Sequence, residues 1–157
     1  KIETIFREGR NERKIKTYYE WDSQGIEGAY VIKRNGIYYL FYSSWTRGYE
    51  VGYATATNIK GPWEKADNNP IYGGTKSALC EKRGFDCDTN PLNPFNAVGH
   101  NAIFEGPDGR LWLSCHGVSK YHTAPFLVID PLNFDRDGNI EKVEPSYVPQ
   151  IVKMNTK

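Results

Sequence analysis

The segment 37–43, IYYLFYS, constrains the fold more than any other part of the sequence. In a strand, successive side chains point to opposite faces of the sheet. Both faces are apolar here, with Ile37, Tyr39 and Phe41 at odd positions and Tyr38, Leu40 and Tyr42 at even positions. A strand in a two-layer sandwich alternates apolar and polar residues. A strand that is apolar on both faces must be covered on both, which radially stacked propeller blades achieve with antiparallel strands.

Turn signals interrupt the sequence about every ten residues. They are Asn35-Gly36, Arg47-Gly48, Lys60-Gly61-Pro62, Asp108-Gly109 and Asp137-Gly138. Short β-prone runs lie between them, such as AYVIKR, EVGYATAT, GRLWLSC and PFLVID. Asn-Gly and Asp-Gly between such runs are strong hairpin signals, because both central residues of a type I′ turn need positive φ. We therefore predict an all-β chain of mostly antiparallel strands.

Charge and composition exclude some partners. The 20 basic and 19 acidic side chains give a net charge of +1, which offers no reason to expect nucleic acid or an anionic membrane as partner. No apolar run approaches the roughly 18 residues needed to span a bilayer. Aromatic residues make up 14% of the chain. Tyr and Trp suit sugar rings and wet clefts, but they also favour strands, so both interpretations stay open.

Three cysteines are present. Cys80 and Cys87 lie in one loop-like segment, CEKRGFDC, where a local disulfide is geometrically feasible, and Cys115 would then stay single. Three free thiols are an equal alternative, so the cysteines do not decide the compartment. The spacing matches no zinc-binding pattern.

A faint internal repeat suggests two blades. YVIKRNGIYYLFYSS and AIFEGPDGRLWLSCHG each contain a strand, a two-residue turn ending in Gly and an aromatic-rich strand. The turns lie 73 residues apart (109 minus 36), more than the roughly 40–50 residues of one blade. We predict a connector or tail of a preceding blade at 1–26, a blade at 27–72, an inter-blade loop at 73–98, and the last blade with a C-terminal tail at 99–157. Since closed propellers need at least about four blades, we expect the C-terminal part of a larger propeller or assembly with a missing half.

Three motifs resemble glycoside hydrolase family 43. IEGAYVIKRNGIYYLFYSS resembles the family's EGP motif with its tyrosine-rich hairpin, and YEVGYATATNIKGPWE resembles the following strand that leads into Gly-Pro-Trp. VGHNAIFEGPDGRLWL resembles the last-blade Gly-His motif. The resemblance covers about residues 25–140. It implies the last two blades of a five-bladed β-propeller that acts on arabinan, xylan or related plant polysaccharides with inversion.

The resemblance also implies roles for individual residues. Glu27 matches the general acid, and His100 matches a histidine under the site centre, often beside a calcium ion, which makes calcium the one cofactor to consider. A direct metal bond from His100 is not favoured, because calcium wants six or more oxygen ligands. The catalytic base and a second aspartate come from earlier blades of the family and match nothing here. The isolated chain is therefore expected to be inactive.

The sequence departs from the family pattern at two places. Ala29 replaces the usual proline after Glu-Gly, and no arginine follows the last aromatic strand, where Lys120 or His122 would have to substitute. An acid that is protonated near neutral pH needs a raised pKa, from partial burial or a neighbouring negative charge. We expect burial of Glu27 between Ile26 and Tyr30 to provide this. GIEG alone would favour an exposed turn carboxylate.

Other side chains are candidates for substrate binding. Trp45 and Arg47 in SSWTRGYE suit sugar stacking and hydroxyl hydrogen bonds, with inter-blade packing as an equal alternative for the tryptophan. His116 ends the strand LWLSCHG and could reach the same central channel. The acidic segment DRDG at 135–138 is read as a hairpin turn rather than a calcium loop.

The expected partners are an oligo- or polysaccharide and the missing blades or a second chain. Neither nucleic acid nor a membrane is expected. We expect a secreted or periplasmic protein, although nothing in the sequence excludes a cytoplasmic one. The alternative function is a non-catalytic carbohydrate-binding or structural propeller fragment.

Overall fold

The computed structural model describes residues 20–85 and 92–152. Its strands are β1 (Glu27–Arg34), β2 (Ile37–Ser44), β3 (Gly48–Ala56), β4 (Glu64–Lys65), β5 (Tyr72–Thr75), β6 (Phe95–Glu105), β7 (Leu111–Ser119) and β8 (Phe126–Pro131), with one short helix, α1 (Ser77–Arg83). The predicted all-β class is confirmed. In these two ranges no helix has the length and apolar character needed to cross a membrane.

The first sheet is antiparallel and contains β1 to β5. β1 pairs with β2, and β2 with β3. β4 and β5 both pair with β3, at Ala54–Thr55 and at Gly48–Val51 respectively. The two short strands therefore share the position of a fourth strand, as a four-stranded propeller blade requires.

The hairpin predicted at Asn35-Gly36 joins β1 to β2. Asn35 has φ 50° and Gly36 has φ 83°. Positive φ at both residues matches the type I′ turn on which the prediction was based. The turn at Asp108-Gly109 also joins two strands, β6 and β7, but φ is positive at Gly109 (75°) and not at Asp108, so this turn is not of type I′. Both halves of the predicted repeat are thus real hairpins.

The second sheet has the order β6-β7-β8 and is antiparallel. Within the described part of the chain it has three strands rather than four. The DRDG segment forms a turn closed by the bridge between Phe134 and Ile140. The Asp135 carboxylate accepts hydrogen bonds from the backbone N–H groups of Asp137 and Asn139. The DRDG segment is therefore a turn, as predicted.

The core confirms that β2 is covered on both faces. Tyr39 and Phe41 belong to the main buried cluster, which also includes residues of the second sheet such as Val98 and Leu113. Tyr42, on the opposite face, packs with Trp21 and Ala54 in a second cluster. The two apolar faces of β2 therefore pack into two separate hydrophobic clusters.

The two sheets meet along β6, which contacts β1, β2, β3 and β5. Gly99 in β6 allows a close approach of the two sheets, because a Cβ there would lie 2.7 Å from Cε1 of Tyr49. This packing brings the middle of β6 against the start of β1.

The segment 73–98 holds more regular structure than the predicted loop. β5 ends at Thr75, α1 follows, and β6 begins at Phe95. The helix is only one to two turns long and ends at Gly84 in the left-handed conformation, φ 73°. An amphipathic period cannot be read from so short a helix. The division of the chain into units stays a prediction, and residues 1–19 of the predicted connector lie outside the described residues.

The cysteines differ in state. Cys80 is disulfide-bonded, whereas Cys115 is a buried free thiol. Cys87 lies outside the described residues.

Candidate active site

The Glu27 carboxylate lies where the two sheets meet. Glu27 is the first residue of β1 and pairs with Ser43, and the register shifts between Glu27 and Tyr30. Its Oε1 accepts hydrogen bonds from the Tyr49 hydroxyl and from Trp45 Nε1, the latter at 2.9 Å. His100 Nδ1 lies 3.8 Å from the same oxygen. The predicted acid and the predicted histidine are therefore neighbours.

The electrostatics of Glu27 differ from the expectation. Its side chain is 42% exposed, and its pKa lies below the usual value because Tyr49 and then Trp45 donate hydrogen bonds to the carboxylate, which outweighs desolvation. The expected burial with a raised pKa is wrong for this chain. The reason is that the residues of β1 are mostly exposed, and β2 is the only strand of the described residues that pairs with it.

Tyr49 is a site residue that the sequence analysis missed. Its ring is fully buried and lies flat against the Trp45 indole, with centroids 3.5 Å apart and planes inclined by 8°. Burial, followed by the hydrogen bond to Glu27, raises the pKa of Tyr49. Tyr49 therefore stays a protonated donor. The position of Tyr49 depends on the pairing of β3 with β2 and on the packing of β6 against β3. No local pattern in the sequence predicts either contact.

His100 is held by its backbone. It has φ 57°, in the left-handed region, and lies where the β6–β7 register shifts between Gly99 and Ala102. Its N–H donates to Ser43 Oγ at 2.9 Å. The Ser43 hydroxyl donates in turn to Asn101 Oδ1 at 3.2 Å. Ser43 and Asn101 are buried, and they were also missed by the sequence analysis.

His116 joins the same cluster. Its ring stacks on that of His100, with centroids 6.0 Å apart, and lies tilted at 5.5 Å from the ring of Tyr49. His100 and His116 line a cleft of about 480 Å³ with Ser114, Cys115, Pro125, Phe126 and Leu127. The structure thus brings together four predicted residues, namely Glu27, Trp45, His100 and His116.

Arg47 is not part of this cluster. Its guanidinium donates two hydrogen bonds, of 2.9 and 2.8 Å, to the two oxygens of Glu50. Glu50 is 4% exposed, and burial raises its pKa although Arg47 acts in the opposite direction. Arg47 was predicted to contact the substrate. In the structure its guanidinium is paired with the buried carboxylate of Glu50.

Neither of the two proposed substitutes for the missing arginine has a polar contact with Glu27 among the described residues. Lys120 is exposed. The ring of His122 stacks on Tyr147, with centroids 6.2 Å apart, and meets Phe126 edge-on. Phe126 lines the cleft, so His122 contacts a residue of the cleft wall without lining the cleft itself.

The described side chains do not assemble an acidic cluster for a calcium ion. No group of three or more His, Cys, Asp or Glu side chains able to hold a metal occurs among residues 20–85 and 92–152. Glu27 is the carboxylate that contacts His100, and its Oε1 is already occupied by Tyr49 and Trp45. Calcium takes six or more oxygen ligands, so a calcium ion near His100 would need ligands beyond these side chains.

Comparison with known proteins identifies relatives. The family model described as Glycosyl hydrolases family 43 matches residues 7–140. The non-reducing end α-L-arabinofuranosidase BoGH43B of Bacteroides ovatus is 26% identical over 117 residues, which cover 71% of this chain and 20% of that protein. The β-D-galactofuranosidase xynD of Aspergillus niger is 28% identical over 131 residues, which cover 78% of this chain and 33% of that protein.

Solved structures of similar fold include enzymes of the same family. An endo-1,4-β-xylanase from Bacteroides thetaiotaomicron superposes with a TM-score of 0.60 at 26% identity, covering 82% of this chain and 40% of that one. A thermostable family-43 glycoside hydrolase gives a TM-score of 0.61 at 29% identity, covering 80% of this chain and 38% of that one. These likenesses confirm the predicted propeller-blade architecture. The chain spans at most 33% of these curated relatives and 40% of these solved chains.

Proposed function

This chain belongs to glycosyl hydrolase family 43, and we propose that in the full-length protein it supplies the general acid of an inverting glycosidase. The observation that carries the proposal is the position of Glu27. Its carboxylate contacts Tyr49, Trp45 and His100, beside a cleft lined by two histidines. A carboxyl group fixed by donors next to an open cleft is what proton transfer to a bound substrate requires.

The proposed substrate is a polysaccharide or oligosaccharide containing pentose units, such as arabinan or xylan. The relatives named above support this class, because their names describe an arabinofuranosidase and a xylanase. A galactofuranosidase among them widens the class to furanosides of other sugars. Trp45, 39% exposed, and His116 are the proposed sugar contacts.

The proposed reaction is a single displacement. Glu27 donates its proton to the glycosidic oxygen as the bond from that oxygen to the anomeric carbon breaks. Water attacks the opposite face of that carbon and loses a proton to a second carboxylate, which stands about 6.5–9.5 Å from the first in inverting enzymes. We place that base outside the described residues, on the remaining blades or a second chain.

The lowered pKa of Glu27 has to be reconciled with its role as an acid. Tyr49 and Trp45 favour the charged carboxylate. A further blade packed over β1 would bury the side chain, and a second carboxylate beside it would add a like charge. Both effects raise the pKa of a carboxyl group. The acid is therefore proposed to become competent only in the complete propeller.

The exposure and the lowered pKa of Glu27 favour a second candidate function. An exposed carboxylate with a lowered pKa suits a non-catalytic carbohydrate-binding or structural fragment as well. Glycan titration and activity assays on the same sugars separate the two functions. Binding without product in the full-length protein would support the second candidate.

Glu27→Gln in the full-length protein tests the proposed function. Turnover on arabinan or xylan should fall by about 10²–10⁴-fold, the usual contribution of general acid catalysis. Glu105→Gln is the control: Glu105 is an exposed carboxylate at the C-terminal end of β6, and the variant should keep normal turnover. Normal turnover in both variants would refute the proposal.

We further propose that the protein is secreted or periplasmic and therefore lies in an oxidising compartment. The disulfide at Cys80 supports this location, because such bonds are rare in the cytosol.

A further inference from the structure

We propose that Tyr49, together with Trp45, fixes the Glu27 carboxyl through Oε1, so that Oε2 is the oxygen that transfers the proton. This makes Tyr49 a positioning residue. The inference rests on the proposed function, because it assigns a task within the same reaction.

The two oxygens of Glu27 differ in their surroundings. Tyr49 and Trp45 both donate to Oε1, and His100 Nδ1 approaches the same oxygen. Within residues 20–85 and 92–152, the polar contacts of the carboxylate thus converge on Oε1. An oxygen that accepts two hydrogen bonds has little remaining capacity to carry a proton, so protonation is directed to Oε2.

Tyr49 cannot turn away from this position. One face of its ring is covered by the Trp45 indole at 3.5 Å. On the ring carbons Cε1, Cζ and Cδ1 it meets Gly99, where even a Cβ would lie within 2.7–2.8 Å. His116 leans against it at 5.5 Å. A buried ring held on several sides gives the hydroxyl a fixed direction, so the carboxyl that it anchors is fixed as well.

The contacts match the charge that develops during the reaction. The proton leaves Oε2 for the glycosidic oxygen, the bond to the anomeric carbon breaks, and the resulting negative charge spreads over both carboxylate oxygens. Hydrogen bonds to an ionised acceptor are stronger than bonds to a neutral one. The donors at Oε1 therefore strengthen as the proton leaves, which is the differential stabilisation that accelerates a step.

Other titratable groups face this pair from the second sheet. They are His100 from β6 and His116 and Cys115 from β7. The Cys115 thiol is buried, and burial raises its pKa. Variants that leave these groups unchanged isolate the contribution of the two donors.

Tyr49→Phe in the full-length protein tests the inference. Glu27 must be protonated to act, so activity falls as pH rises through its pKa. Loss of a donor that stabilises the carboxylate raises this pKa, and the basic limb of the kcat profile should move up by about one pH unit. We expect kcat at the optimum to fall about tenfold with KM nearly unchanged, because only the transferring group is disturbed.

Tyr39→Phe is the matched control. Tyr39 is also buried, and its hydroxyl donates to the Gly138 carbonyl at 2.9 Å, far from Glu27. It should change neither the pH limb nor kcat. Trp45→Phe removes the second donor while keeping an aromatic ring, and it should shift the limb in the same direction as Tyr49→Phe.

The outcomes separate the inference from the proposed function. A wild-type pH limb and kcat in Tyr49→Phe would overturn the inference, while a strong loss in Glu27→Gln would leave the general acid in place. If thermal unfolding shows that Tyr49→Phe does not fold, Trp45→Phe decides, and an unmoved limb in that variant overturns the inference. Retained activity in Glu27→Gln would refute the function itself.

Discussion

Gly28 lies against the backbone of His100: a Cβ at position 28 would stand 3.1 Å from the His100 Cα. Both residues have left-handed backbone, with φ 66° at Gly28 and φ 57° at His100. The first interrupts β1 directly after Glu27, and the second interrupts β6. The relative position of the carboxylate and the imidazole therefore depends on two irregular strand positions that touch each other.

Gly28→Ala should disturb both stability and activity. The left-handed backbone costs an alanine about 1–2 kcal/mol, and the new methyl group presses on backbone that cannot rotate away. Gly36→Ala is a matched control, because Gly36 has φ 83° but nothing within 4 Å of a Cβ. Chemical denaturation should show a loss in both variants, with glycosidase activity of the full-length protein reduced in Gly28→Ala alone. Equal activity in the two variants would show that the contact with His100 does not matter.

Arg47→Met should destabilise the protein rather than weaken substrate binding. It leaves the Glu50 carboxylate buried without its partner, which costs about 3 kcal/mol at neutral pH. KM should change little, since Arg47 bonds to Glu50 and not to the Glu27 cluster. A stable Arg47→Met variant with a strongly raised KM would contradict this explanation and support the predicted role of Arg47 in substrate binding.

The same variant should show a defined pH dependence. The folded-state pKa of Glu50 is raised above its usual value, and loss of Arg47 raises it further. A raised carboxyl pKa means that the folded state binds more protons, so stability falls as pH rises from about 4.5 through the folded pKa. Urea denaturation at several pH values should therefore find the deficit of Arg47→Met smallest in acid. Adding Glu50→Gln should remove this dependence, and a deficit independent of pH would contradict the explanation.

Substitutions at His100 can separate its backbone from its imidazole. Glycine adopts positive φ without cost, asparagine tolerates it, and alanine does not. We expect His100→Gly and His100→Asn to be more stable than His100→Ala by about 1 kcal/mol, as measured by thermal unfolding. All three should lose activity if the imidazole contributes to the site. Activity that followed stability across the series would indicate a purely structural histidine.

The sequence was informative wherever the signal was local. Asn35, Gly36 and Gly109 adopt positive φ, which few residues other than Gly and Asn do readily, so both hairpins were predictable. The two apolar faces of β2 predicted coverage on both sides, and the structure places Tyr39 and Tyr42 in different clusters. The motif resemblance correctly predicted that Glu27 and His100 would lie together.

The rest depended on contacts between distant segments. Tyr49 reaches Glu27 only because β3 and β1 flank β2 while β6 packs across them, and a single sequence does not encode that register visibly. Ser43 and Asn101 meet across 58 positions. Arg47 was predicted to contact sugar because it lies beside Trp45 in a loop, and its ion pair with Glu50 was not foreseen. The exposure of Glu27 was missed because its burial was expected from apolar neighbours in sequence, Ile26 and Tyr30, both of which are exposed.

The central claim is that Glu27 protonates the leaving group, and the dependence of its loss on the leaving group tests this most directly. The measurement is kcat/KM of wild type and Glu27→Gln, in the full-length protein, on aryl glycosides with acidic phenols and on natural oligosaccharides. A phenol that leaves without protonation needs no acid, so we predict a small loss on the most acidic phenol and a loss of about 10²-fold or more on the oligosaccharide. An equal loss on all substrates would contradict the assignment of Glu27 as the general acid.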